Sequence, residues 1–303
     1  MIHLIKEVIL LFAFFANIFG YLLNFIYQLV NNYGIAIIIF CIVLKLIMLP
    51  LSIKQQRTMK KSAKLQDKMK QLQFKYKNDP EKLNQEVMKM YKEENMSPFS
   101  GCLSSIVQII ILLSVFYLVS SPLTYMKKVD SQEINSYKEK LGQEQNISKG
   151  NYPEIQIIQV YGKDNEQVQL NMEFLGLDLS KVLTQSLNDW KVYIIPALYV
   201  ISSIASLKIT NATQKKMQNA KKEDSENVII ENNEEKALKK DDEEDIDPME
   251  QANKSMSLFM PIMSLSIAII APLGLALYWL INNILMIAER LVLNKFFDKE
   301  EEK

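Results

Sequence analysis

The chain has 303 residues, 49% hydrophobic and 23% charged, and its 35 basic and 35 acidic residues balance to a formal net charge of +0. Apolar and charged residues are segregated into blocks, so neither average describes a soluble globule and the zero balance says nothing about partners. Arg57 and Arg290 are the only arginines, which excludes an Arg- and Ser-rich organellar transit peptide, and Cys41 and Cys102 lie in or beside apolar runs, where they read as buried small hydrophobes rather than as a disulfide.

Residues 1–32 open the chain. Ile2–Phe19 has a basic start at Lys6 and an apolar run from Val8 to Ala16, the pattern of a signal peptide, a signal anchor or an additional span. No A-x-A cleavage signal follows, which favours an uncleaved element. In Asn17–Asn32, Ile18, Phe19, Leu22, Phe25, Ile26 and Leu29 recur at helical spacing, with Asn24, Gln28 and Asn31 on another face. That pattern suits a helix lying in the membrane interface, or a simple continuation of the first element.

Residues 33–53, YGIAIIIFCIVLKLIMLPLSI, form the first core span, since about 20 apolar residues cross a hydrocarbon core of ~30 Å. Lys45 sits inside it, five residues before Pro50. A lysine at the centre of a span costs roughly 2.5–3.5 kcal/mol on insertion scales, so its presence asks for a reason.

Residues 54–98 switch to a charged helical pattern, interrupted at Asn78-Asp79-Pro80. That turn ends one helix near Lys77 and lets Pro80 open the next. Leu65, Met69, Leu72 and Tyr76, with Leu83, Val87, Met90 and Tyr91, make two apolar stripes, which predict an antiparallel helical hairpin. Twelve lysine and arginine residues against six acidic ones place it on the cytoplasmic side. Its lysines, among them Lys60, Lys61, Lys64 and Lys68, read as a solvated face or as a contact surface for anionic lipid or ribosomal RNA.

Residues 100–120 form a second span without a charge, and 121–189 an external loop with seven lysines against ten acidic residues. Within this loop Ile155–Tyr161 reads as a short strand and Phe174–Lys181 as an interfacial stretch. A third span covers 190–208, starting at Trp190. Residues 209–254 are polar, then acidic, and read as a disordered cytoplasmic linker. Spans at 256–271 and 272–289 follow, turning at Ala271-Pro272-Leu273-Gly274, and 290–303 form a cytoplasmic tail, with Glu289 and Arg290 marking the inner exit. The predicted fold is an all-α polytopic membrane protein: five core transmembrane helices, a cytoplasmic antiparallel hairpin and an N-terminal apolar or interfacial helix.

Enzymatic templates fail. There is no GxxxxGK[ST] phosphate loop, and the sole histidine, His3, removes Ser-His and Cys-His pairs and HExxH zinc sites. No cofactor or metal is expected. Glu289 stands at the inner end of the last span, and no other aspartate or glutamate falls in the five core spans, so Lys45 is expected to lack an ionic partner within them. What the spans do carry is uncharged polarity: Gln108, Ser114, Ser202, Ser203, Asn282 and Asn283. Two readings of Lys45 stand. It snorkels to the cytoplasmic end, eight residues or ~12 Å away, or it projects into a water-containing cavity open to the cytoplasm, lined by those amides and hydroxyls, where it meets a transient anion. Each of those polar groups also has a plainer role as an interhelical hydrogen-bond donor.

Four motifs, YGIAIIIFCIVLKLIMLPLSIKQQRTMKK, DPEKLNQEVMKMYKEE, SPFSGCL followed by Gln108, and PLGLALYWLINN, resemble in order and spacing the YidC family of membrane protein insertases, with its mitochondrial and chloroplast homologues. FLGLDLSK in the outer loop adds to the match. The resemblance implies a five-helix core around a hydrophilic groove that is open to the cytoplasm and lipid and closed externally, with Lys45 at the family's groove arginine position. It implies nascent membrane proteins as substrates, with ribosomes and the Sec translocon as partners, and a mobile hairpin that receives substrate. Lys45 departs from the commoner arginine, keeping charge but losing planar bidentate recognition. Ser104 and Ile110 stand where prolines are frequent, no lipobox cysteine lies near the N-terminus, and the large external domain of many members has no counterpart. A small-solute or ion transporter and an assembly scaffold without insertion activity are the rival functions. Inverted repeats and broken helices, the transporter signature, are not evident.

Overall fold

The computed structural model describes residues 2–94, 100–144, 152–228, 266 and 269–301. They are mostly helical and sort into two compact units, one built from Met1–Met48, Ile106–Ile204 and Ile262–Lys303, the other from Leu49–Ser105 and Ala205–Pro261. Among the described residues, four helical stretches are long and apolar enough to cross a membrane: Lys6–Val30, Tyr33–Thr58, Trp190–Thr210 and Leu273–Phe296. Ile106–Ser120 is a shorter apolar helix. The span expected at 256–271 lies almost wholly outside the described residues, as does the linker from 229 onward.

Helix α1 is one continuous element, Ile2–Val30, rather than a leader followed by a separate interfacial helix. Nothing in the sequence stops it at Asn17, because Gly20 costs only about 1 kcal/mol in a helix and here has a use. A Cβ at Gly20 would stand 1.9 Å from the Tyr125 carbonyl oxygen, so glycine permits the closest approach of α1 to the π-helical turn Leu123–Lys127. Ala16, Leu23 and Ile26 are buried on the same side, while Leu10, Phe14, Ile18, Tyr21, Phe25 and Leu29 form an exposed apolar stripe.

The corner between α1 and α2 (Tyr33–Lys75) uses two asparagines in different roles. Asn31 takes the left-handed conformation that ends many helices, φ 47°. Asn32 caps α2, its Oδ1 accepting from the Ile35 N–H at 3.0 Å. Helix α2 then runs through Pro50 to Lys75.

The reversal at 76–79 follows the sequence closely. Asp79 accepts from the Lys82 N–H through its side chain at 3.0 Å and Pro80 opens helix α3, Pro80–Glu93. Leu65 and Met90 are buried, and Lys68 Nζ reaches Glu94 Oε1 at 2.8 Å, which ties the two arms.

Helix α4 is Ser100–Ser120, α5 Ser131–Glu144 and α6 Pro153–Tyr161. The last corrects the strand expected over 155–161. Its β-branched residues favour a strand in isolation, but Pro153 is a helix-start residue and the buried set Glu154, Ile155, Ile157, Ile158 has helical spacing.

Residues 173–178 form a two-stranded antiparallel hairpin, β1 (Glu173–Phe174) and β2 (Leu177–Asp178), with Leu175 and Gly176 at φ 51° and 75° in its turn. This hairpin is the cap of the first unit. Asn171 ties it to the α1–α2 corner through three bonds: its carbonyl accepts from Tyr33 N at 2.9 Å, its Nδ2 donates to Asn31 O at 2.9 Å, and its N–H donates to the Tyr27 hydroxyl at 2.9 Å. Gly34 leaves room for the Phe174 ring.

On the other side, the Gly274 and Leu273 N–H groups donate to Leu179 O and Lys181 O, both at 2.8 Å. The free N–H groups that begin α8 (Leu273–Glu301) are thereby satisfied by the cap.

A 3-10 turn, Trp190–Tyr193, leads into α7, Ile194–Val228. This helix outruns the expected boundary at 208, since 209–228 contain neither glycine nor proline. Tyr33, Ile37, Phe40, Val115, Leu118, Leu123, Leu179, Ile195 and Leu275 fill the core that joins these elements.

Candidate functional site: a lysine–glutamate pair among apolar helices

Helices α2 and α8 start side by side, with a Cβ built on Gly274 only 3.5 Å from the Tyr33 ring. From those starts Lys45 lies 12 residues along α2, about 18 Å, and Glu289 lies 16 residues along α8, about 24 Å. The difference of about 6 Å is the reach of a lysine side chain. Lys45 Nζ closes it, meeting Glu289 Oε2 at 2.6 Å, with side-chain exposures of 20% for Lys45 and 9% for Glu289.

This corrects the expectation that Lys45 has no ionic partner in the spans. Taking 289 as the end of the last span makes Glu289 an exit residue, yet a point about 24 Å along a helix is still inside a core of ~30 Å. Depth was the signal that could have found it, because hydropathy alone trims a span at its first charge. Lys45 is therefore not an isolated charge.

The pair is only partly satisfied. Glu289 Oε1 is buried without a hydrogen-bond partner among the described residues. An ammonium carries three donors, and Glu289 takes one of them.

Two of the other predicted groups converge with a third. Asn283 is buried on α8, and its Nδ2 donates to Ser202 Oγ at 3.0 Å and to Ser203 Oγ at 3.2 Å on α7. Ser202 Oγ in turn donates to the Tyr199 carbonyl at 2.8 Å. Asn282 is half-buried and two turns before Glu289, hence on the same face of α8.

Ser114 is fully buried but spends its hydroxyl on its own helix, donating to Ile110 O at 2.7 Å, and Gln108 is exposed on α4. Of the hairpin lysines, Lys61 is exposed and Lys68 is held by Glu94, whose hydrogen bond raises the Lys68 pKa above its usual value. The side chains of Lys60 and Lys64 lie outside the described residues. Cys41 is a buried free thiol, and no group of three His, Cys, Asp or Glu side chains among the described residues has metal-site spacing.

The apolar helices thus hold an ion pair, Lys45–Glu289, and an amide–hydroxyl cluster around Asn283. The family model for the 60Kd inner membrane protein matches residues 25–301. This chain belongs to the 60Kd inner membrane protein family, the YidC family of the sequence resemblance.

Among similar proteins, the "Membrane protein insertase YidC" of Caldanaerobacter subterraneus subsp. tengcongensis is 42% identical over 107 residues, 35% of this chain and 52% of that protein. Proteins of the same name from Francisella tularensis subsp. novicida and Francisella philomiragia subsp. philomiragia are 42% and 43% identical over 107 residues, 19% of their length. The chain thus aligns with about half or less of the relatives it matches. Family membership and four apolar helices make it a multi-pass protein of the bacterial plasma membrane.

Proposed function

We propose that this protein is a membrane protein insertase that moves nascent membrane proteins into the bilayer through a hydrophilic groove open to the cytoplasm and carrying Lys45. The observation that carries the reading is the Lys45–Glu289 pair, a costly polar feature held between helices of a chain whose relatives are named insertases. Asn282, Asn283, Ser202, Ser203, Gln108 and Ser114 complete the polar lining in this reading. In this reading the start of α2 lies outside and the tail after α8 inside, with the fifth core span at 256–271, mostly outside the described residues.

The groove accepts an acidic or polar tail without reading a fixed sequence, because a charge interaction in a low-dielectric site is strong and undirected once the tail reaches Lys45. Release into lipid is driven by burial of the client's apolar surface, at roughly 25 cal/mol per Å², so no cofactor and no bond-breaking step is invoked. The two charged arms around Asp79-Pro80 act as the cytoplasmic hairpin that receives substrate. In this reading the hairpin segment that contains Lys60, Lys61, Lys64 and Lys68 meets ribosomes or anionic lipid, and the Sec translocon is a further partner.

The experiment is reconstitution of the purified protein into liposomes with a single-span client bearing a short external tail. Insertion by this protein alone is the expected result. Solute flux without client insertion would instead make it a transporter, and defective client folding with normal insertion would make it a scaffold.

A further inference from the structure

We propose that Glu289 is the resident counter-ion of the groove cation, and that an incoming carboxylate must displace it to reach Lys45. The inference rests on Lys45 being the groove cation and adds a residue that sets the groove's selectivity.

Three features of the pair support exchange over permanent bonding. Buried ion pairs are held firmly when their remaining lone pairs and protons are also satisfied, yet Glu289 Oε1 is buried without a partner among the described residues. The cation is the more accessible member, its side chain 20% exposed against 9% for the glutamate, so an approaching anion meets Lys45 first. Finally, Glu289 lies about 24 Å along α8, close to the far limit of a ~30 Å core, so a displaced carboxylate is near water that can receive it.

One carboxylate replaces another, so Lys45 has an anionic partner at the start and at the end of the exchange. A neutral tail offers no replacement and leaves the pair closed. A tail with two carboxylates competes better than a tail with one. Glu289 therefore acts as a threshold: it lowers the apparent affinity for every acidic tail by the fraction of time that Lys45 is free.

The test is liposome insertion of two otherwise identical single-span clients, one with two aspartates in its external tail and one with two asparagines. The parent protein is compared with Glu289→Gln, Glu289→Asp, Lys45→Gln and the Lys45→Gln/Glu289→Gln double variant. Glu289→Gln should raise insertion of the aspartate client about three- to tenfold, leave the asparagine client within about twofold, and lose the gain in the double variant. Glu289→Asp, which keeps the charge but shortens the acid side chain and so lengthens the pair, should give a smaller gain of the same sign and covers the case in which the glutamine variant fails to fold.

If both Glu289 variants leave the aspartate-to-asparagine ratio unchanged or lower it while Lys45→Gln lowers it, the displacement idea is overturned and the groove cation stands. If Lys45→Gln leaves the ratio at the parent value, the groove-cation reading falls and takes this inference with it.

Discussion

Lys45 and Glu289 meet at 2.6 Å from two helices that begin together under the same cap, and the pair changes how any Lys45 variant has to be interpreted. Removing one member of a buried pair leaves the other as an uncompensated charge, at a cost of about 3–5 kcal/mol. Lys45→Ala should therefore lower stability by that order, and Lys45→Glu by more, because it sets two carboxylates against each other. Lys45→Arg keeps the pair and should be tolerated. The exchanged variant Lys45→Glu/Glu289→Lys should recover most of the loss. Thermal unfolding in detergent measures all four, and equal stability of Lys45→Ala and the parent would show that the pair carries no weight.

The same pair separates stability from insertion. Lys45→Glu should impair insertion of clients with acidic external tails more than its fold loss explains, whereas Lys45→Arg should insert them at near-parent levels. Insertion is compared per folded molecule, at equal amounts of reconstituted protein. Equal insertion by Lys45→Glu and the parent would remove charge from the account.

Much of this architecture was legible in the residues. Tyr33–Ile53 announces a span by length and composition, and Asp79-Pro80 announces a capped helix start, because both signals are local. Glu289 was not legible in the same way. A charge at the edge of an apolar run looks like the end of the membrane, and only its depth relative to Lys45 on a neighbouring helix makes it a partner. Helix α6 was misread for a related reason: its isoleucines suit a strand until tertiary burial on several sides of a helix decides otherwise. The cap at 173–178 is two residues per strand, too short for periodicity, and its role depends on Asn171 reaching a corner some 140 positions away, 140 being its sequence separation from Asn31.

Asn283 bridges α8 to two serines of α7. Interhelical hydrogen bonds of this kind in membrane proteins average about 0.6 kcal/mol, with a maximum near 1.7. Asn283→Ala should cost about 0.5–2 kcal/mol, since it removes both bonds at once. Ser202→Ala and Ser203→Ala should each cost less, because the amide keeps the other hydroxyl. A serine variant more damaging than Asn283→Ala in detergent unfolding would show that the amide is not the hub.

Gly20 and Gly34 make a matched pair of substitutions. A methyl at Gly20 meets the backbone of Tyr125, its carbonyl oxygen at 1.9 Å and carbonyl carbon at 2.6 Å, and backbone in a packed turn cannot move aside. A methyl at Gly34 meets the Phe174 side chain, Cδ2 and Cγ at 2.5 Å and Cβ at 2.7 Å, so the two-residue strand that carries Phe174 must shift with it, an easier move than displacing the turn at Tyr125. Gly20→Ala should therefore be the more disruptive, by more than about 1–3 kcal/mol of overpacking, and should expose α1 to proteolysis. Comparable protease resistance in the two variants would mean that α1 does not depend on this contact.

Glu154 provides a pH test outside the membrane-spanning helices. Its side chain is buried at 4% exposure, where Oε2 accepts from the Thr124 N–H at 3.0 Å and Oε1 from the Thr124 hydroxyl at 2.6 Å. Burial raises its pKa above the ordinary carboxylate range, opposed by the bonds from Thr124 and Leu123 and by the charge of Lys138. A carboxyl whose folded pKa lies above its unfolded value binds its proton more tightly in the folded state. Its contribution to stability is full below the unfolded pKa, near about 4.3, and is lost as pH rises through the folded pKa.

Glu154→Gln removes that dependence while keeping an acceptor for the Thr124 N–H and a donor to its hydroxyl oxygen. The variant should thus gain on the parent as pH is raised from about 4 to 7. Glu154→Ala should lose about 1–3 kcal/mol at either pH by stranding the Thr124 N–H. Detergent unfolding midpoints of the three proteins at both pH values decide it: a parent that gains on Glu154→Gln as pH rises would mean that the bonds from Thr124 outweigh the cost of burial.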